Sequence, residues 1–340
     1  MSVRNLGPFK VNPVGLGCMG MSEFYGPTDE KQSEDVLIRA IELGVDHFDT
    51  ADVYGYGHNE ELVGRVIRAS GKRDHLVVAT KCGIVRDKND PAKRGIDNSP
   101  AYIRESFGKS HDRLKTHVDL FYLHRISHYG ERIEASMSAM SELLKAGAIR
   151  AVGLSEANAT TIERAHRELL RLTDGEHGLV AVQTEYSLMS RDVEHNGIFV
   201  KCRELGIALV AYSPIGRGLL TGTLTKIDDL DQQDFRRTLP RFSQDAISAN
   251  ANLAAAIGSV AKEIGVQTSQ LAIAWVLSRG DNVFAIPGTR RIKYLESNTS
   301  AKDIVLSPDL LRTLDSLLDE VPVTGTRYAP EVLATYGLDR

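Results

Sequence analysis

The sequence predicts an α/β protein built as a closed (β/α)8 TIM barrel, and three observations carry that expectation. Eight short apolar runs alternate with amphipathic helical patterns along most of the chain. The runs are mostly apolar on both sides, as parallel strands covered on both faces should be. Side chains able to do chemistry fall just after these runs, and the site of such a barrel lies at the C-terminal ends of its strands. An open, doubly wound sheet is the alternative architecture. At 340 residues the chain suits one barrel with insertions, so a single domain spanning 1–340 is expected.

An opening hairpin is expected around Arg4–Val11, with Asn5, Leu6 and Gly7 in its turn. Strands follow at Val14–Gly17, His47–Asp49, Leu76–Thr80 and Val118–Leu123, then at Ile149–Leu154, Val180–Thr184, Ala208–Ala211 and Val283–Ile286. Helices are expected at Ser33–Leu43, Asn59–Ala69, Pro100–Leu114, Ile133–Lys145, Thr160–Leu170 and Ile198–Leu205. Gly44, Gly71, Gly147 and Gly206 stand where helix C-caps belong. From Gly216 to Asn250 the rhythm breaks into a long loop rich in Gly, Thr, Asp, Gln and Arg; loops of that length inside a domain are usually functional.

Composition narrows the function classes. The formal net charge of −4 gives no reason to expect nucleic acid or an anionic membrane as partner. Residues 1–7 lack the apolar core of a signal peptide, and no apolar run approaches the roughly 20 residues that span a bilayer. Cys18, Cys82 and Cys202 are odd in number and form no CxxC pair, so a reducing cytoplasm is the simplest setting. Oligomeric state is not legible.

The strand ends carry the chemistry. The second strand ends at Asp49 and leads to Tyr54, the third ends in Thr80 and Lys81, and the fourth ends at His124. A phenol titrates near 10 in water, too high for an efficient acid at neutral pH, and a nearby ammonium would lower that value. A buried Lys needs a partner, which Asp49 supplies, and a His can orient a carbonyl or relay a proton. Taken singly, each has a structural role open to it: Asp49 as a cap, Lys81 as a solvated strand end, His124 as a hydrogen-bonded histidine. Their joint placement favours catalysis.

These residues resemble the aldo-keto reductases. The run from Gly44 to Gly55, the Thr80–Lys81 pair, the segment Asp119–His124, the run Ala211–Gly218 and the turn Ile286–Thr289 are similar to that family's motifs in the family's order. The run Gly17–Ser22 and the Leu123–Arg125 segment are most similar to the plant and microbial aldehyde-reductase branch that includes perakine and pyridoxal reductases. The resemblance implies a barrel that uses NADPH without a Rossmann fold to reduce a small carbonyl substrate. It implies Tyr54 as general acid, Asp49 and Lys81 as its tuning pair and His124 as orienter. It places Ser155, Gln183 and Tyr212 around the nicotinamide, with Tyr212 stacked on the ring. Ser213 and Pro214 belong to a cofactor loop, and Gly216, Arg217 and Gly218 meet the pyrophosphate under a flap that begins at Gly216. Gly288, Thr289, Arg290, Arg291 and Asn298 meet the adenosine end, and the basic cluster of Arg290, Arg291 and Lys293 is expected to select the 2′-phosphate. Glu156, Tyr294 and Ser297 depart from the residues many members carry.

Phe24, Tyr25, Tyr56 and Arg125, with His128, lie on loops expected near the mouth and are candidates for shaping an aromatic or dicarbonyl pocket; the tail Arg327–Arg340 is a candidate further wall. Two motifs point elsewhere. The run from Gly15 to Gly20 reads GxGxxG, but Phe24–Pro27 follows it instead of a helix, so a dinucleotide fingerprint is not expected. His124 and His128 have metal-pair spacing, but no third ligand is placed, and no metal is expected. A cofactor-sensing regulatory subunit of the same fold and a metal-dependent barrel hydrolase are the competing functions.

Overall fold

The computed structural model describes residues 3–90 and 93–335. The hairpin is β1 (Arg4–Leu6) and β2 (Phe9–Val11), followed by β3 (Leu16–Gly17), α1 (Glu30–Glu42), β4 (His47–Asp49), α2 (His58–Ala69) and β5 (Val77–Cys82). A second hairpin, β6 (Ile84–Arg86) and β7 (Arg94–Ile96), precedes α3 (Pro100–Leu114). Then come β8 (Val118–Leu123), α4 (Ile133–Lys145), β9 (Ile149–Ser155), α5 (Ala159–Leu172), β10 (Leu179–Glu185), α6 (Ile198–Glu204) and β11 (Ala208–Tyr212). The chain continues through α7 (Gln244–Glu263), α8 (Thr268–Leu277), β12 (Val283–Ala285), α9 (Ile292–Ser300), α10 (Pro308–Glu320) and α11 (Pro330–Thr335).

Eight parallel strands form one sheet in the order β12-β11-β10-β9-β8-β5-β4-β3. Parallel bridges from Val14 to Ala285 and from Gly17 to Gly288 join its first and last strands, so the sheet closes and the open alternative is excluded. This closure accounts for the GxGxxG run. A Cβ on Gly15 would sit 2.8 Å from the His47 carbonyl oxygen, and one on Gly17 2.8 Å from that of Ile286. These glycines permit close strand approach.

The helices begin where local chemistry starts them. Asp29 caps α1 by accepting from the Gln32 amide at 2.7 Å, and Asn158 caps α5 through Thr161 at 2.8 Å. Ser99 caps α3, with Pro100 at its first position. Leu6, Phe9, Val77, Leu120, Tyr122, Val210 and Phe284 fill the barrel interior, with the β1–β2 hairpin contributing to its floor. A larger apolar layer lies between strands and helices.

Three expectations need correction. Asn5 and Leu6 are strand residues paired with Lys10 and Phe9, because Gly7, at φ 57°, and Pro8 make the turn between them. The long segment from Gly216 is a chain of short 3-10 turns, and it ends earlier than Asn250 because the Ser243 side chain caps α7. The helices placed from the pattern end at Leu205, yet α7, α8, α10 and α11 also form. Leu271–Leu277 is buried on every side, and a helix apolar all round shows no stripe. No helix among the described residues is long and apolar enough to cross a membrane. All three cysteines are free and buried.

Candidate active site

Asp49, Tyr54, Lys81 and His124 meet at the C-terminal mouth of the barrel. Lys81, wholly buried on β5, donates from Nζ to Asp49 Oδ1 and, at 2.8 Å, to the Thr50 carbonyl. Asp49 Oδ2 accepts from Gln183 Nε2 at 2.7 Å. Tyr54 stands one turn beyond β4, on a loop pinned by a 2.6 Å bond from Thr50 Oγ1 to Asn59 Oδ1 and by Asp52 N donating to the Lys81 carbonyl at 3.0 Å. Its ring centroid lies 5.2 Å from Lys81 Nζ and meets the His124 ring edge-on at 5.5 Å.

Burial dominates the electrostatics. It pushes the Tyr54 phenol well above 10, Asp49 adds to this, and the Arg125 guanidinium opposes it. Desolvation thus outweighs the cation that opposes it. Burial lowers Lys81, with Asp49 resisting. Burial, with help from Lys81 and Arg125, holds His124 well below 6.5, so its imidazole is neutral; its Nδ1 has no hydrogen-bond partner. The site thus holds a protonated phenol and a neutral imidazole side by side.

Ser155 ends β9 and lies 3.3 Å from the Arg125 guanidinium, whose Nη1 also donates to the His124 carbonyl at 2.7 Å. Tyr212 ends β11, and Ser213 after it takes a left-handed conformation at φ 50° that turns the chain into Pro214 and the Gly216–Thr221 turn. A groove of about 460 Å³ runs past Gly218, Arg236, Gly288, Thr289, Tyr294 and Asn298. Arg291 and Lys293 are exposed, and the Arg291 guanidinium lies 5.8 Å from the ring of Tyr294, which lines the groove.

The structure directs some of the expected residues elsewhere. The Arg217 guanidinium faces inward, to Glu185 Oε2 at 3.1 Å and Tyr328 Oη at 2.8 Å, leaving only its backbone toward the flap. Arg290 donates to the carbonyls of Pro27 and, at 2.8 Å, Tyr25, so it ties down the loop after β3. Phe24 meets Phe235 of the flap edge-on at 5.5 Å, and the Arg236 guanidinium lies 4.9 Å from the Tyr25 ring. Tyr56 lies under Arg86 of the β6–β7 hairpin, 4.6 Å from ring centroid to guanidinium. His128 is exposed in a 3-10 turn, not on a helix with His124, and no metal-binding group of His, Cys, Asp or Glu occurs among the described residues.

Arg86 and Arg236 carry no sequence signal of their own; Arg327 and Tyr328 open the tail Arg327–Arg340 expected as a further wall, of which residues 336–340 lie outside the described residues. Only Glu156 gave a hint. Buried, it accepts from both Arg327 nitrogens at 2.9 Å and from Tyr212 Oη at 2.7 Å. A carboxylate at a buried strand end demands a cation somewhere, but nothing local says which.

The aldo/keto reductase family model matches residues 13–319. An aldo-keto reductase of Schizosaccharomyces pombe, yakc [NADP(+)], is 38% identical over 96% of this chain and 94% of that protein. The aldo-keto reductase str7 of Strobilurus tenacellus is 35% identical over 97% of this chain and 95% of that protein. The holo form of aldo-keto reductase AKR11C1 from Bacillus halodurans superposes with a TM-score of 0.74 at 26% identity, covering 93% of this chain and 96% of that one. With its closed eight-stranded barrel and the model match across most of its length, the chain belongs to the aldo/keto reductase family of oxidoreductases.

Proposed function

We propose that this protein reduces aldehydes and ketones to alcohols with NADPH, and that Tyr54 is the proton donor. The observation that carries it is the meeting of a protonated Tyr54 with a neutral His124 beside the buried Lys81–Asp49 pair. NADPH, when bound, supplies the hydride. The S. pombe relative carries NADP(+) in its name, which supports that cofactor here.

The residues present fit such a cofactor. The unpartnered His124 Nδ1 shows a site with hydrogen-bonding capacity to spare, and the groove leads from the Tyr212 end toward Thr289 and Asn298. Ser155, Gln183 and Tyr212 would hold the nicotinamide. Ser213, Pro214, Gly216, Arg217 and Gly218 would hold the pyrophosphate, chiefly through backbone. Gly288, Thr289, Arg291 and Asn298 would hold the adenosine end. Arg290 would act there by fixing the loop that carries Tyr25.

A carbonyl oxygen between Tyr54 and His124 receives the Tyr54 proton as its carbon is reduced, so the alkoxide never accumulates. Neutral His124 donates a hydrogen bond that orients the carbonyl without competing for the proton. Lys81, held by Asp49 and the Thr50 carbonyl, keeps a positive charge behind the phenol as it loses its proton. Gln183, bonded to Asp49, ties the nicotinamide wall to this pair. Phe24, Tyr25, Tyr56 and Arg125 form the mouth where the substrate enters. Loss of the NADPH absorbance band on adding a panel of aldehydes and ketones tests this reading. No oxidation with any carbonyl, by a chain that binds NADPH, would refute it.

A further inference from the structure

The end of β9 and the segment after α10 are joined in a way the family motifs do not require. Glu156 follows β9 in a left-handed conformation, φ 54°, which turns its carboxylate into the barrel mouth; that carboxylate is 2% exposed. Arg327 holds it with a two-pronged pair of 2.9 Å bonds. On the same carboxylate, Oε1 accepts from the Tyr212 hydroxyl at 2.7 Å and from the Glu185 amide at 3.0 Å. The Tyr212 ring is therefore held at its far end by a carboxylate whose counter-ion comes from a distant part of the chain.

That part is itself tied down. Thr324 exchanges two 3.0 Å hydrogen bonds with the Asn250 side chain, and Arg241 donates to the Gly325 carbonyl at 3.3 Å. Gly325 has φ 82°, and a Cβ there would sit 2.8 Å from the Pro240 carbonyl oxygen, so the strand of chain lies flat on the flap. Tyr328 accepts from Arg217 at 2.8 Å and lies 3.3 Å from the Tyr212 hydroxyl.

We propose that Arg327 is a positioning residue, which through Glu156 fixes the Tyr212 ring, and that Thr324–Tyr328 is a strap that must be latched there for tight cofactor binding. This rests on the reading of Tyr212 as the platform for the nicotinamide. The charged and titratable groups facing Glu156 are Arg125 beyond β8, Tyr212 on β11 and Arg327 on the strap, with Tyr328, Glu185 and Arg217 around them. Burial alone would raise the Glu156 carboxyl; Arg327 and Arg125 hold it at about 2. Without Arg327, burial is opposed mainly by Arg125, and the Glu156 carboxyl is pushed upward. It then keeps the Tyr212 bond as a neutral acid and loses it as an uncompensated, hydrated carboxylate.

The test is the NADP+ dissociation constant by calorimetry, as a ratio of variant to unsubstituted protein, from about pH 6 to about pH 9, so that cofactor titration cancels. Arg327→Met is expected to weaken binding about tenfold at the alkaline end and by less than about threefold at the acid end. Glu156→Gln with Arg327→Met, which removes the titrating carboxylate together with its forked partner, is expected to show a pH-independent weakening of about threefold. Arg327→Lys, which returns the charge without the fork, is expected to recover most of the affinity. A pH-independent ratio within twofold for Arg327→Met would overturn the strap, as would a lowered melting temperature with unchanged affinity. If Arg327→Met does not fold, the double variant decides: affinity and kcat equal to those of the unsubstituted protein overturn the proposal. If the unsubstituted protein binds no NADP+, the cofactor reading itself fails, and the strap with it.

Discussion

Asp119 and Asp49 are both buried aspartates on barrel strands, one at each end. Asp119, at the start of β8, accepts from Arg73 at 2.7 Å, from the Val78 amide at 2.8 Å and from Arg150 at 2.9 Å. Its arginines reach the surface, Arg150 with 52% of its side chain exposed. Asp49, at the end of β4, faces Lys81 and Gln183, both buried, and a phenol lies beyond them. At the floor, a surplus of partly solvated cations satisfies one carboxylate and the cluster serves the fold. At the mouth, Asp49 is paired with one buried cation, Lys81, in a dry setting, so the pair responds to a proton lost nearby. Under the proposed function, similar buried acid–base pairs serve the fold at one end of the strands and the reaction at the other.

The largest expected effect tests the mouth. Tyr54→Phe should lower kcat by about 10²–10⁴-fold, the range for a positioned general acid, with NADPH affinity and melting temperature little changed. Steady-state kinetics and a thermal melt check this, and near-normal kcat would remove Tyr54 from the role. Lys81→Met should cost roughly 10²-fold in kcat and alter the pH–rate profile, since the phenolate loses its stabilising charge.

The floor should answer in stability instead. His47, wholly buried at the start of β4 with neither ring nitrogen hydrogen-bonded, is pushed down to about 4 by burial. Its folded value lies below the ordinary 6.5, so the unfolded chain takes the proton first. Stability is then full above about pH 6.5 and lost progressively down to about pH 4, on the order of 3 kcal/mol from this group. Denaturant unfolding across that window should show the slope, and His47→Gln should flatten it. Asp119→Asn should cost about 1–3 kcal/mol in the same assay while kcat/KM holds. A large loss of turnover there would break the contrast between the ends.

The smallest effect sharpens the mouth. With Arg290 occupied by loop carbonyls, Arg291 is the exposed guanidinium left beside Tyr294 of the groove. Arg291→Ala should raise the NADPH dissociation constant about tenfold, the worth of one charge-assisted contact, with NADH unchanged. Equal weakening of both would place Arg291 on a shared part of the dinucleotide.

The barrel and the rim that gathers the candidate site residues were legible because both follow from local rules. Short apolar strands between capped helices specify a parallel sheet, and a closed sheet of this kind presents Asp49, Lys81, His124, Ser155, Gln183 and Tyr212 at one rim. The tertiary structure decided what pairing over long separations decides. Arg217 turned to Glu185, Arg290 turned to the loop of Tyr25, and Arg327 crossed the mouth to Glu156. It also decided the phenol's electrostatics. A motif lists which charges are near Tyr54, whereas its proton affinity depends on how much water the fold removes, and at this site desolvation outweighs the neighbouring cations.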